Sequence, residues 1–222
     1  MTSEFVRVGD NLELRAAAYF QSQGYFVRRS VMLSVAAGTA DATDVDLLGI
    51  RFNVPLTEER LVADCKNRRK PRPFERILWT RGLASFANAT QAVVILPRGV
   101  WQAREFATQG RVEVLESFEI ERFLKTVGSS FTPFGDANPE LSYRRRQNDS
   151  RELAREDLRL RQMLVVGHPL TNLNRIIKIL SDIGHGVPRE GDSFWMTRYV
   201  CSDAAVIASI MLVRFAAESK WT

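Results

Sequence analysis

The chain has little cysteine, little histidine and no long uninterrupted apolar run. Two cysteines among 222 residues, Cys65 and Cys201, cannot form a disulfide framework, so a reducing compartment is expected. Neither His168 nor His185 has a cysteine or histidine at metal-ligand spacing, which argues against a zinc site. The charge-free apolar stretch 204–213 is too short to span a bilayer.

Other absences narrow the function classes further. No basic segment followed by an apolar run stands at the N-terminus, so no signal peptide is expected. No G-x-x-x-x-G-K-[ST] string is present, which argues against an intrinsic ATPase. With 45% hydrophobic and 26% charged residues, the composition predicts a soluble, cytoplasmic globular protein.

The charge balance is mildly basic. Lysine and arginine outnumber aspartate and glutamate by 31 to 26, for a formal net charge of +5. This excess suits a polyanionic partner such as nucleic acid, but a basic surface without such a partner explains it equally well. Charge alone therefore leaves the partner open.

Helical and strand patterns alternate over the first part of the chain. Asp10 and Glu13 form a capping-box pattern at the start of the first helix. Short spacing between the second and third strands predicts a hairpin. The order αβββαβαβ with a closing helix predicts an α/β fold with a central mixed sheet. The expected helices are 10–23, 73–89, 100–109 and 118–126, and the expected strands are 25–35, 43–52, 60–66, 91–96 and 111–115.

The composition changes near Gly128, where residues 128–140 have the glycine, serine and proline content of a linker. We therefore predict a first domain of residues 1–130 and a small helical domain or appendage of residues 131–222. Its helices are expected to start at Asp149 or Ser150, to run from Thr171 to Gly184, and to cover about 203–218.

A pair of aspartates in the predicted hairpin is the candidate for chemistry. If the hairpin is centred on Pro55, Asp46 and Asp64 lie at equal distances from the centre and face each other. Lys66 lies two residues beyond Asp64 and so projects from the same face. These charges interrupt strands that otherwise read as core, VDLLGI and LVA.

Two adjacent carboxylates in a core need positive charge to compensate them. Oxygen ligands favour Mg²⁺, with Mn²⁺ as a substitute, over zinc. A cation held by Asp46 and Asp64 would polarise a phosphodiester and lower the pKa of a bound water, which Lys66 would orient or help deprotonate. Alternatively, Asp64 and Lys66 form only a salt bridge on one face, with Asp46 near the mouth of the hairpin.

An acidic residue in one strand followed by (D/E)-x-K in the next resembles the PD-(D/E)XK, or restriction-endonuclease-like, nucleases. Here the pattern reads Asp46, then Asp64-Cys65-Lys66, and the family core has the same element order over about residues 1–127. Val45 precedes Asp46 where the family name has proline, and many members carry glutamate or glutamine where Asp64 stands.

The leading helix with Glu13 and the later strings VWQAREFA and VEVL resemble the Mrr and Holliday-junction-resolvase-like branch. This resemblance implies a Mg²⁺-dependent endonuclease acting on DNA. It also implies that Glu13 and the backbone carbonyl of Cys65 are further metal or water ligands. Glu13 has an alternative role as the capping-box partner of Asp10, and the two roles are compatible.

Basic residues directly follow the candidate strand. In such a place they would hold backbone phosphates without reading bases, although a solvated basic loop is the alternative. Asp44 lies on the same face as Asp46 and competes with it, but it is closer to the preceding loop. The candidate phosphate contacts are Arg68, Arg69, Lys70 and Arg72.

The resemblance also frames the biological expectation. Mrr-like proteins serve in restriction or other anti-phage defence, and resolvase-like proteins serve in recombination and repair. DNA is the expected partner. An RNA-cleaving nuclease and a catalytically inactive nucleic-acid-binding module are the alternatives. The very apolar stretch 204–213 is expected to be either the core of the second domain or a contact in a homo-oligomer.

Overall fold

The structure is a computed structural model, and its described parts form two compact units. The first unit falls within Met1–Val31, Thr43–Phe52 and Glu58–Tyr143, and the second within Met32–Ala42, Asn53–Thr57 and Arg144–Thr222. The described residues are 8–34, 41–54, 57–66, 72–97, 101–141, 150–185 and 192–219.

Strands and helices alternate up to Val127, in the order that the sequence predicts. This confirms the α/β class and a five-stranded mixed sheet. The elements are α1 (Val8–Ser22), β1 (Phe26–Ser34), β2 (Asp41–Asn53), β3 (Thr57–Cys65), α2 (Pro73–Phe86), β4 (Gln91–Leu96), α3 (Trp101–Gln109), β5 (Glu113–Glu116) and α4 (Ser117–Val127).

The sheet order is β1-β2-β3-β4-β5, so every strand pairs with its neighbour in sequence. β2 and β3 are adjacent, as the predicted hairpin requires. β3, β4 and β5 run parallel, with Asp64 beside Val94 and Cys65 beside Ile95. The helices α2 and α3 connect the parallel strands, as crossover connections must.

The two faces of β3 have different partners. Leu61, Ala63 and Cys65 join the core cluster that includes α1 residues and Ile120 of α4. Side chains alternate along a strand, so Asp64 points to the opposite face, where α2 lies against β4. This alternation places the aspartate beside α2 rather than α1.

The N-terminal helix and the predicted linker differ from expectation. α1 begins at Val8, so Asp10 is not the N-cap that the capping-box pattern predicts. The segment after residue 130 packs on the first unit, because the Gln21 amide donates to Phe134 O at 2.8 Å and Asp136 is buried. The first unit therefore extends past residue 130 and includes the described residues up to Leu141.

Within its described residues, the second unit contains the helices α5 (Arg151–Met163), α6 (Pro169–His185) and α7 (Asp192–Ser219), and α7 contacts the other two. Ser150, one of the two predicted starts, caps α5 by accepting from the Leu153 amide. The expected start of the last helix near residue 203 is wrong, since α7 begins eleven residues earlier, at Asp192.

The long last helix has an apolar stretch. Among the residues that the structure describes, Phe194–Ser219 alone is long and apolar enough to cross a membrane by length and composition. About a third of its most apolar window is buried, and the core helix of a soluble protein passes the same test. The helix contacts α5 and α6 within its own unit, which fits a soluble protein.

Candidate functional site

The end of β3 fixes the backbone of the candidate site. Pairing with β4 extends one residue past the strand, because the Lys66 amide donates to Ile95 O at 3.0 Å. The next amide back, that of Cys65, donates to Asp46 Oδ2 at 2.7 Å. The Asp46 carboxylate thus takes the amide on the side of the strand that faces away from β4. Both hydrogen bonds hold the strand end in place.

The structure brings Asp46, Asp64 and Lys66 together, as the hairpin argument predicts. Lys66 Nζ donates to Asp46 Oδ2 at 3.1 Å and lies 3.3 Å from Asp64 Oδ1. Two carboxylates from neighbouring strands therefore share one ammonium group. The simpler salt bridge, with Asp46 set apart at the hairpin mouth, does not describe this arrangement.

A fourth residue, Arg76 in the first turns of α2, was not predicted from the sequence. Its Nε donates to Asp64 Oδ2 at 2.9 Å, and its Nη2 donates to Asp64 Oδ1. This is the two-pronged geometry that makes guanidinium–carboxylate pairs strong. The sequence does carry a signal for it: Arg76 stands four and seven residues before the buried Thr80 and Leu83, a spacing that places it on the same face of the helix. We call Asp46, Asp64, Lys66 and Arg76 the β3 ion network.

The carboxylates of the β3 ion network are more buried than its cations. The Asp64 and Asp46 side chains are 3% and 13% exposed, whereas those of Lys66 and Arg76 are 27% and 24% exposed. The acidic groups therefore form the floor of the site, and both cations reach solvent. A ligand from solvent meets the cations first.

Burial and the nearby Asp64 charge raise the pKa of Asp46, and the Lys66 ammonium and the Cys65 amide offset only part of that rise. Burial by itself lowers the pKa of Lys66, but the charges of Asp46 and Asp64 outweigh it and leave that pKa raised. Lys66 is therefore a cation at neutral pH. In this arrangement it supplies positive charge and hydrogen bonds rather than acting as a base.

The β3 ion network offers two carboxylates as possible ligands for a divalent cation. Among the described residues, no group of three or more His, Cys, Asp or Glu side chains is placed to hold a metal. Asp46 and Asp64 supply two carboxylates, and Mg²⁺ is commonly held by one or two carboxylates plus substrate phosphates while it keeps several waters. The network thus contains the two carboxylates that such a site commonly uses.

Glu13 lies in a different ion pair. Its Oε2 accepts from Arg29 Nη2 at 3.0 Å, and the Arg29 amide donates to Asp136 Oδ2 at 2.8 Å. Its charge contributes to the raised pKa of the buried Cys65 thiol, whose main cause is burial. The capping-box role is wrong because α1 starts before Asp10. Roles for Glu13 and for the Cys65 carbonyl as ligands stay predictions.

Among the remaining candidate residues, the structure describes Asp44 and Arg72. Asp44 is exposed, as expected for a residue outside the site. Arg72 stands at the N-cap of α2 with its side chain 83% exposed and 3.3 Å from Glu75. Arg68, Arg69 and Lys70 lie outside the described residues.

The solvent side of α2 carries apolar surface. Its exposed side chains are Phe74, Leu78 and Trp79, which are 46%, 64% and 46% exposed. The Phe74 ring meets Phe106 of α3 edge to face, and the Arg76 guanidinium lies 5.9 Å from the Trp79 ring centroid. Aromatic surface therefore adjoins the β3 ion network directly.

Comparison with known proteins adds little. No model of a protein family matches the chain, and no curated protein matches it. The crystal structure of AF1548, a protein of unknown function, is similar over 90% of this chain and 100% of the other, with 15% identity and a TM-score of 0.42. A likeness at that level carries no argument about fold or function.

Proposed function

We propose that this chain is a divalent-metal-dependent nuclease that hydrolyses phosphodiester bonds in DNA. The observation that carries the proposal is the convergence of Asp46 and Asp64 on one lysine at the end of β3. Two carboxylates and a lysine, set where a crossover helix begins, are the groups that metal-assisted phosphodiester hydrolysis needs. The element order supports a restriction-endonuclease-like core for residues 1–130.

The chain's own groups have distinct roles in this proposal. Asp46 and Asp64 would hold the cation, which supplies Lewis-acid charge at the phosphate and lowers the pKa of water. Lys66 is a cation fixed by both carboxylates, so it is suited to offset charge that develops on the phosphate oxygens and to orient the attacking water.

Exposed groups around the network suit a nucleic-acid partner. Arg72 is available for a backbone phosphate, and Trp79 and Phe74 offer rings on which bases stack. We expect Arg68, Arg69 and Lys70, between β3 and α2 in sequence, to add phosphate contacts. Such contacts position a strand without reading its sequence.

We assign the nuclease to the cytoplasm and, from its resemblance to Mrr-like proteins, to restriction or other anti-phage defence, with DNA repair as the alternative. A homo-oligomer would allow two strands to be cut together. These assignments rest on resemblance and on composition, not on the geometry of the β3 ion network.

The test is cleavage of plasmid and linear DNA, and of RNA, in Mg²⁺ and in Mn²⁺. Asp46→Asn, Asp64→Asn and Lys66→Ala are each expected to lower the cleavage rate by about 10²-fold or more. Asp44→Asn, an exposed neighbour on the same strand, is the matched control and should cut at the wild-type rate. Failure of the wild type to cut any of these substrates in either metal would refute the proposal.

One observation favours a second candidate, a catalytically inactive module that binds nucleic acid. The β3 ion network contains two acidic and two basic groups, so it is neutral without a metal. A purely structural network of this kind would persist in a module that binds but does not cut. Binding of DNA with no cleavage in either metal is the outcome that selects it.

A further inference from the structure

We propose that Arg76 and a divalent cation are alternative partners of Asp64, so that the cation binds only as Arg76 releases this carboxylate. The inference rests on the proposed metal-dependent function and assigns Arg76 a positioning role in it. It says which contact must break before a metal enters the site.

Both carboxylate oxygens of Asp64 already have cationic partners. Oδ2 accepts from Arg76 Nε at 2.9 Å, while Oδ1 accepts from Arg76 Nη2 and lies 3.3 Å from Lys66 Nζ. The side chain is 3% exposed, so little of either oxygen faces solvent. A cation that takes an Asp64 oxygen must therefore displace at least one arm of the guanidinium.

A bound divalent cation would also unbalance the charge of the β3 ion network. Asp46 and Asp64 are balanced by Lys66 and Arg76, and a divalent cation would leave the cluster with two surplus positive charges. Like charges held within a few ångströms in a half-buried site repel strongly. Lys66 is held at both carboxylates and by its strand backbone, whereas Arg76 meets only Asp64 of the two. Arg76 is therefore the cation that leaves.

The Arg76 side chain also has an alternative contact, the ring of Trp79. Its side chain is 24% exposed, and the ring of Trp79, three residues along α2, has its centroid 5.9 Å from the guanidinium carbon. Trp79 is itself 46% exposed. Arginine stacks well on aromatic faces, so the released side chain would lie on this ring at the protein surface.

The direct test uses the wild-type chain and the Nε–H resonance of Arg76, assigned by its loss in Arg76→Lys. A bonded Nε–H exchanges slowly with water and gives a distinct signal. Titration with Mg²⁺ should shift or broaden this resonance in parallel with metal binding measured by calorimetry. An unchanged resonance at saturating Mg²⁺, or no Mg²⁺ binding at all, overturns the inference.

A second test compares Mn²⁺ affinity across matched variants by electron paramagnetic resonance. Arg76→Gln and Arg76→Lys should each bind Mn²⁺ about tenfold more tightly, because neither forms the two-pronged bond that the metal must break. Arg81→Gln, an exposed α2 arginine, should stay within about twofold. If only Arg76→Gln tightens binding, simple charge repulsion explains the result and the exchange is wrong.

These outcomes separate the inference from the proposed nuclease. Exchange of Arg76 without cleavage of any substrate upholds the inference and refutes the nuclease. If the wild type cleaves DNA but its Arg76 resonance does not change with metal, the nuclease is upheld and the inference is refuted. Thermal unfolding of each variant shows whether it is folded. If one Arg76 variant is not, loss of the resonance in the other assigns it, and the wild-type titration decides the matter.

Discussion

Each unit contains a buried aspartate–arginine pair, and the two pairs differ in how they are built. In the second unit, Arg161 Nε bonds Asp157 Oδ2 at 3.1 Å, one turn away on α5. In the first, Arg76 reaches Asp64 from another element, and a second carboxylate lies beside it. The Asp157–Arg161 pair is local in sequence, whereas the Asp64–Arg76 pair depends on the tertiary fold.

Their solvent access differs as well. The Arg161 and Asp157 side chains are 2% and 8% exposed, and Arg161 also donates to the Tyr199 hydroxyl at 3.2 Å. The Arg76 side chain is 24% exposed. Asp157–Arg161, which we call the closed pair, has a further buried partner and holds helices together. Asp64–Arg76, which we call the open pair, has a second carboxylate beside it and can exchange its cation for a ligand.

The largest effect should come from breaking the closed pair. Arg161→Leu leaves Asp157 buried without its helical partner and should lower the free energy of unfolding by about 3–5 kcal/mol. Replacing both residues with leucine removes the stranded charge and should recover most of that loss. Urea unfolding followed by circular dichroism measures both. A single variant that costs less than the double would show that the pair is not the stabilising feature.

A divalent cation should stabilise the open pair's unit. At Mn²⁺ concentrations about 100 times the dissociation constant, the gain in unfolding free energy should be about 2.7 kcal/mol, and chelation should remove it. Asp46→Asn combined with Asp64→Asn should abolish the gain, which thermal unfolding with and without Mn²⁺ would show. An equal gain in that double variant would place the metal elsewhere.

The raised pKa of Asp46, which lies beside the open pair, gives the β3 ion network a pH dependence. The folded chain holds the Asp46 proton more tightly than the unfolded chain, so this contribution to stability is present below the ordinary aspartate pKa and is lost as pH rises through the raised one. Asp46→Asn removes the titrating group. The variant should therefore gain stability relative to wild type as the pH rises from about 3, below the ordinary aspartate pKa, through the raised pKa of Asp46.

Urea unfolding of both proteins at each pH is the measurement. Asparagine keeps an oxygen that can accept from the Cys65 amide, so the comparison isolates the charge. A stability difference that is flat across this range would contradict the raised pKa.

The smallest effect is expected at an exposed pair on the same helix as the closed one. Arg159 Nη1 lies 2.6 Å from Glu156 Oε1, but the arginine side chain is 56% exposed. Arg159→Ala should change the free energy of unfolding by less than about 0.5 kcal/mol. A loss as large as that of Arg161→Leu would mean that burial does not explain the difference between the pairs.

The sequence predicted features that depend on near neighbours in the chain. The alternation of helices and strands up to Val127, the short segment between β2 and β3, and the N-cap at Ser150 follow from local pattern and turn chemistry. The shared face of Asp64 and Lys66 follows from strand alternation. Asp46 joined them because strand adjacency is itself nearly local in a hairpin.

Other features required the tertiary structure. Arg76 meets Asp64 because the crossover helix α2 packs beside the parallel strands; helical spacing indicates only that Arg76 shares a face with Thr80 and Leu83, not that it reaches Asp64. Glu13 pairs with Arg29 because α1 lies against the sheet, not because of its own helix end. Phe74 and Leu78 repeat at helical spacing, yet they face solvent because an apolar stripe does not say whether another element covers it.

The sequence by itself therefore determined the element order and placed Asp46, Asp64 and Lys66 on two neighbouring strands. Only the tertiary structure decided that a guanidinium from α2 completes the β3 ion network and that Glu13 is paired elsewhere. The physical reason is the separation in sequence between the residues that make each contact. Periodicity fixes side-chain direction within an element, whereas contacts between distant elements depend on how the layers pack.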